Sequence, residues 1–173
     1  MAQIILDANG FSQAIKKMSQ EIYETIKEPK KLVIIGIHRN GVFIGKRIAA
    51  EIEKQTGAAI DFGTLDITLY RDDIDDLGLD IPVIKDTEIL FDINKKDIIL
   101  VDDVLYTGRT VRAALEVIIS FGRPSSIKLA ALVDRGCREL PIEANFIGLK
   151  YPSKKKIKVE CKESDKIDQI TVL

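Results

Sequence analysis

The stretch "IILVDDVLYTGRT", residues 98–110, decides the reading of this chain. Ile98 to Val101 form an apolar run suited to a strand covered on both faces. Two adjacent carboxylates follow, then a turn, Thr107-Gly108-Arg109-Thr110, which opens "GRTVRAALEVIISFG". There Val111, Ala114, Leu115 and Ile118 recur at helical spacing, and Gly122 and Pro124 stop the helix. A strand leads through a polar turn into a helix, which is one unit of a parallel α/β sheet.

The same order extends outward. "FSQAIKKMSQEIYETIK" (11–27) places Ile15, Met18, Ile22 and Ile26 on one helical stripe, and "EPKK" ends it. "LVIIGI" (32–37) reads as a central strand, followed by a turn at "HRNG" and a helix from near Gly41 with Val42, Ile44, Ile48 and Ile52 inward. "AAIDFGTLDITLY" (58–70) and "PVIKDTEILFD" (82–92) alternate in part, and the acidic "RDDIDDLGLDI" lies between them. The pair is expected to form a long arm joined by a mobile loop, about 64–91. "SIKLAALVD" supplies a further strand, and the tail, about 144–173, holds three short strand-like pieces. One domain over 1–173 is expected, with a mainly parallel sheet flanked by helices.

Composition narrows the chemistry. A net charge of −1 argues against a uniformly basic nucleic-acid binder, although a basic face would still be compatible with it. No secretory signal or spanning apolar segment is visible, so a cytoplasmic protein is expected. Two cysteines, Cys137 and Cys161, make no disulfide scaffold. His38 is the only histidine, which excludes a zinc site built from several imidazoles.

Ligands of open parallel sheets collect beyond the carboxyl ends of the strands. Three strand exits here carry polar groups: Gly36–Gly41, Asp102–Thr110 and Asp134–Arg138. Asp102 and Asp103 repel each other unless something positive or hydroxyl-bearing lies beside them. A ribose with two vicinal hydroxyls, together with Mg²⁺, would use both. Backbone N–H groups at the start of the following helix suit a phosphate, Thr107 and Thr110 add hydroxyls, and Gly108 permits close approach. No GxxxxGK[ST] spacing occurs, so this is not a P-loop.

The segment resembles the phosphoribosyl-diphosphate signature of type I phosphoribosyltransferases, and its "VLYTGRT" ending is particularly similar to the PyrR family of pyrimidine-operon attenuation regulators with uracil phosphoribosyltransferase activity. "GIHRNG" (36–41), "LDITLYRDD" (65–73) and "LVDRGCRELPI" (132–142) carry the resemblance over nearly the whole chain. It implies the type I fold, with a small hood built from the terminal segments. It also implies Mg²⁺-dependent conversion of uracil and phosphoribosyl diphosphate to UMP and diphosphate.

Carried onto this chain, the resemblance makes Asp102 and Asp103 the ribose and Mg²⁺ ligands. Val104, Leu105 and Tyr106 would line the site, and Thr107, Gly108, Arg109 and Thr110 would hold the 5′-phosphate. Arg39, Asn40 and Gly41 would meet the diphosphate, beside His38. Tyr70, Arg71 and Asp72 would begin the loop that closes over the reacting centre, with Arg71 acting catalytically beside Asp102 and Asp103. Asp134, Arg135 and Gly136 would lie near the base. Tyr106 stands where purine-salvage relatives place an acid, which favours a pyrimidine.

The resemblance further implies a homodimer or larger assembly, and a reading as a UMP- or UTP-responsive mRNA attenuator, with or without enzyme activity. The chain departs from the family at several positions. The arginine of the diphosphate turn sits one place early, at Arg39. Gln20, Cys137, Glu143 and Leu149 replace histidines or basic residues of the expected RNA face, where Arg138 remains. Fewer cations weaken a contact that depends on counterion release.

Overall fold

The apolar runs become strands in the computed structural model, which describes residues 3–67 and 87–173. In chain order the elements are β1 (Gln3–Leu6), α1 (Ala8–Thr25), β2 (Leu32–Ile37), α2 (Asn40–Thr56), β3 (Asp61–Leu65), β4 (Asp97–Leu105) and α3 (Arg109–Phe121). They continue with β5 (Ser126–Asp134), β6 (Phe146–Lys150), β7 (Ile157–Glu160), the single turn α4 (Lys162–Asp165) and β8 (Gln169–Val172). Five strands form a wholly parallel sheet in the order β3-β2-β4-β5-β6. The chain ends form a separate antiparallel sheet, β1-β8-β7, the hood.

Every residue of β2 is buried, as a central strand covered on both faces requires. On one face α1 and α2 bring Phe11, Met18, Ile22, Ile44, Ile48 and Ile52 against Ile34, Ile99 and Val101. On the other, Val111, Ala114 and Ile118 of α3 meet Val33, Ile35 and Leu100. Each of the larger side chains contributes about 1.5–3 kcal/mol by leaving water. Among the described residues no helix is long and apolar enough to cross a membrane.

Two boundaries differ from the sequence expectation. Helix α1 begins at Ala8 because the Asp7 carboxylate accepts the Gly10 N–H at 2.9 Å and caps the helix upstream of Phe11. It stops at Thr25, where Ile26 turns extended. The stretch 58–70 is also not simply an arm. Residues 61–65 are an edge strand of the main sheet, in parallel register with β2 from Val33↔Asp61 to Ile37↔Leu65. Pairing with the returning segment is a single bridge, Thr64↔Glu88, and residues 68–86 of the expected loop lie outside the described residues.

The hood is fastened to α2 by Arg47. Its guanidinium donates to both oxygens of Glu163 (2.6 and 3.0 Å) and of Asp168 (2.8 and 3.1 Å), and it lies 5.2 Å from the Phe11 ring centre. Burial is the largest influence and works against both carboxylates, yet the Arg47 hydrogen bond, a backbone hydrogen bond and the Arg47 charge together outweigh it and hold them below their ordinary values. Groups with lowered folded-state values contribute stability above their ordinary values of 4.5 and 3.8, and that contribution is lost as pH falls through the lowered ones. Arg47→Met is therefore expected to lower stability near neutral pH by about 2–3 kcal/mol, or ~5–10 °C in melting temperature. The gap from wild type should shrink on acidification below about pH 4, as read by thermal unfolding at several pH values.

Candidate active site at the carboxyl end of the sheet

Strands β2, β4 and β5 lie side by side and parallel, so their exits gather at one end of the sheet. Hydrogen bonds join the exits. Asn40, at the start of α2, donates its carboxamide N–H to Asp103 at 2.9 Å. The Arg135 N–H donates to the Leu105 carbonyl at 2.9 Å, and the Glu139 and Leu140 N–H groups donate to the Thr107 carbonyl at 3.0 and 3.1 Å.

Between the β4 and β5 exits lies a cavity of about 320 Å³. It is lined by Asp102, the run from Val104 to Val111, and Glu139. Asp102 is 6% exposed. Gly108 adopts φ +93° immediately before α3, a conformation that favours glycine, and a side chain there would press on Leu140 and Ile142. The Thr107 hydroxyl accepts the Arg109 N–H at 3.3 Å. First-turn N–H groups of a helix have no partner four residues back, and here that turn borders the cavity. The Arg109 guanidinium pairs with Glu139 at 2.6 Å, both about half exposed.

The two adjacent carboxylates have different partners. Successive strand residues face opposite sides of a sheet. Asp102 lines the cavity, whereas Asp103 meets Asn40, whose N–H also reaches the Val159 carbonyl of the hood at 3.0 Å. Each carboxylate accepts the next backbone N–H as well: Asp102 from Asp103 at 2.9 Å, and Asp103 from Val104 at 2.8 Å.

On the β5 side, Gly136 (φ +73°) and Cys137 (φ +56°) turn the chain back, and Asp134 accepts the Gly136 N–H at 2.9 Å. Arg138 braces this loop. It pairs with Asp134 at 2.6 Å and donates to the Ile142, Tyr106 and Gly136 carbonyls at 2.8, 2.9 and 3.2 Å. Arg135 lies 3.8 Å over the Tyr106 ring centre and donates to the Ser153 and Lys154 carbonyls at 3.0 and 2.8 Å. Of the other positions expected to face RNA, Gln20, Cys137 and Glu143 are exposed and Leu149 is half-buried. Gln20 donates to Glu24 at 3.0 Å.

At the β2 exit the His38–Arg39 peptide is cis, and the His38 N–H donates to the Leu65 carbonyl at 2.9 Å. Arg39 is mostly exposed, its guanidinium 3.8 Å from Asp165 of the hood. A groove beside it is lined by His38, Arg39, Val42, Phe43, Lys46, Thr64 and Glu88. Tyr70, Arg71 and Asp72 lie outside the described residues. Burial pushes the Cys161 thiol up to about 12, against the nearby Arg47 charge, which makes it a packing group rather than a nucleophile. Among the described residues no three His, Cys, Asp or Glu side chains cluster to hold a metal by themselves.

Sequence reading missed the Asn40 bridge and the Arg135–Tyr106 stack. Asn40 lies 63 and 119 positions from its partners Asp103 and Val159, so no local spacing announces either contact.

A phosphoribosyl transferase domain model matches residues 1–164. The Bifunctional protein PyrR of Endomicrobium trichonymphae is 60% identical, the match covering 100% of this chain and 99% of the relative. The protein of the same description from Clostridioides difficile is 47% identical, with 97% and 96% covered. Among solved structures, a mutant hypoxanthine phosphoribosyltransferase of Trypanosoma cruzi, in a ternary substrates complex, superposes with a TM-score of 0.77 over 98% of this chain and 94% of that one, at 16% identity. At that identity the likeness establishes the type I phosphoribosyltransferase fold alone.

The two arginine–carboxylate pairs beside the cavity are expected to differ sharply in weight. Arg138→Met removes a largely covered brace from Asp134 and should cost about 2–4 kcal/mol. Arg109→Met breaks an exposed pair and should cost less than about 1 kcal/mol. Urea unfolding of both variants measures the difference.

Proposed function

Because this chain belongs to the PyrR family of phosphoribosyl transferase domain proteins, we propose that it makes UMP and diphosphate from uracil and phosphoribosyl diphosphate. The observation that carries the reading is the cavity where Asp102 and the Thr107–Thr110 turn meet at the start of α3. A 5′-phosphate there takes the first-turn N–H groups of the helix and the two threonine hydroxyls. Ribose hydroxyls are within the chemistry of Asp102 and Asp103, which accept hydrogen bonds from them. Tyr106, held under Arg135, borders the cavity on the side of the β5 loop, where an uncharged pyrimidine edge is read by backbone groups of the Asp134–Gly136 turn.

Mg²⁺ fits this donor set. It commonly takes one or two carboxylates and completes its shell with phosphate oxygens and water, so a pair of hard carboxylates suffices. Asp102, on the cavity wall, and Asp103, beside Asn40, would hold it, one directly and the other through water, and when bound it supplies positive charge to the leaving diphosphate. In the transfer, the bond from the anomeric carbon to the diphosphate oxygen breaks with its electron pair leaving on diphosphate. Uracil N1 forms the new bond and its proton passes to solvent water. Positive charge grows on the ribose, and the buried Asp102 carboxylate stabilises it at the cavity wall. The diphosphate is met by the backbone of the Asn40–Gly41 turn and by Arg39, and Arg71, outside the described residues, is the further cation of this reading.

The relatives' shared description as bifunctional favours a chain that joins this pocket to a regulatory role over one that is an enzyme alone. A UMP- or UTP-responsive mRNA attenuator, assembled as a dimer or larger oligomer, is accordingly carried as the second reading. It uses the same pocket as its nucleotide sensor.

UMP formation with Mg²⁺, followed for wild type and Asp103→Asn, tests the enzyme. Turnover should fall by roughly 10²-fold in the variant, while a folded wild type that binds UMP without turning over would leave only the sensor. For the second reading, RNA affinity should weaken steeply with salt, by the counterions its cations release. A filter-binding titration from low to moderate salt reads the slope, and no binding at low salt removes the attenuator.

A further inference from the structure

The carboxamide of Asn40 lies between two acceptors, the Asp103 carboxylate at 2.9 Å and the Val159 carbonyl at 3.0 Å. Two acceptors converging on one atom identify that atom as the nitrogen. The other end of the same amide, Oδ1, is buried and is the one buried side-chain polar atom without a hydrogen-bond partner among the described residues. An unpartnered buried acceptor costs about 1–3 kcal/mol, so packing alone does not explain an asparagine here. An apolar side chain of similar size would fill the space without that penalty. What only the amide provides is a donor that grips Asp103 from the α2 side and is itself anchored to β7 of the hood.

We propose that Asn40 is a positioning residue. It acts through Asp103, turning that carboxylate toward the ribose hydroxyls of a bound nucleotide, and it ties this orientation to the hood through Val159. The inference rests on the nucleotide-site reading above and deepens it. Asn40 does not touch the reacting atoms. It selects one rotamer of a carboxylate whose other oxygen already accepts the Val104 N–H at 2.8 Å. Its place is set by Gly41, whose hypothetical Cβ would lie 2.5 Å from the Val101 carbonyl oxygen, so the first turn of α2 sits directly on β4 beside Asp103. Groups that orient a ligand's direct partner in this way carry roughly 10–100-fold in affinity or activity when removed.

The test is binding of UMP and of 2′,3′-dideoxy-UMP, measured by calorimetry without metal, to wild type and to Asn40→Leu. Asn40→Ala serves if the leucine does not fold. If Asn40 acts through Asp103, UMP affinity falls roughly 10–100-fold while the dideoxy nucleotide, which has no hydroxyl for Asp103 to hold, changes less than about threefold. The wild-type preference for UMP then shrinks by the same factor. A role confined to structure weakens both nucleotides alike and leaves the ratio untouched, which overturns the inference, as does unchanged UMP affinity. Failure of wild type to bind either nucleotide overturns the underlying site reading instead, so the two failures are told apart.

Discussion

The carbonyl oxygen of Val101 leaves no room for a side chain at position 41. A Cβ there would come within 2.5 Å of it, and one at Gly36 would strike the Gly41 carbonyl at 2.6 Å. Helix α2 can therefore start directly against β4, one residue before the carboxylate pair, only because both positions are glycine. This contact brings the β2 exit to the β4 exit. Asn40 then reaches Asp103 and the hood, and a turn, a strand end and a terminal sheet far apart in sequence become one wall of a site.

The opposite wall depends on a second approach. Gly108, left-handed at the start of α3, lets the Thr107 carbonyl accept N–H groups from Glu139 and Leu140, which draws the β5 loop across the cavity. Arg138 and Arg135 then hold that loop by bonding to carbonyls rather than reaching into solvent. These two arginines look available in a one-dimensional reading and are here internal braces. That bears on any RNA face more than net charge does, since counterions are released only by cations that reach the phosphates.

The β4–turn–α3 unit was legible because everything it needs is local: an apolar run, a carboxylate pair, a small-residue turn and a 3.6-residue stripe lie in consecutive positions. The convergence of three strand exits also followed from parallel topology alone. Strand β3 was misread because "DFGTL" exposes alternate residues as an arm would, and only its register with β2 reveals an edge strand of the core sheet. The capping role of Asp7 was readable but overlooked. The Asn40 bridge and the Arg135–Tyr106 stack were not readable, because side-chain geometry between distant segments leaves no periodic trace. Adjacency in sequence also gave no sign that Asp102 lines the cavity while Asp103 turns to Asn40 of α2.

The central claim is that the cavity at the start of α3 receives a nucleotide 5′-phosphate, with the ribose toward the carboxylate pair. A crystal structure of the UMP complex tests it most directly. The expected result is the phosphate within hydrogen-bond distance of the Thr107–Thr110 backbone, a ribose hydroxyl on Asp102 or Asp103, and uracil beside Tyr106. Phosphate bound instead in the groove of His38, Arg39 and Lys46, with the α3 turn untouched, would contradict it.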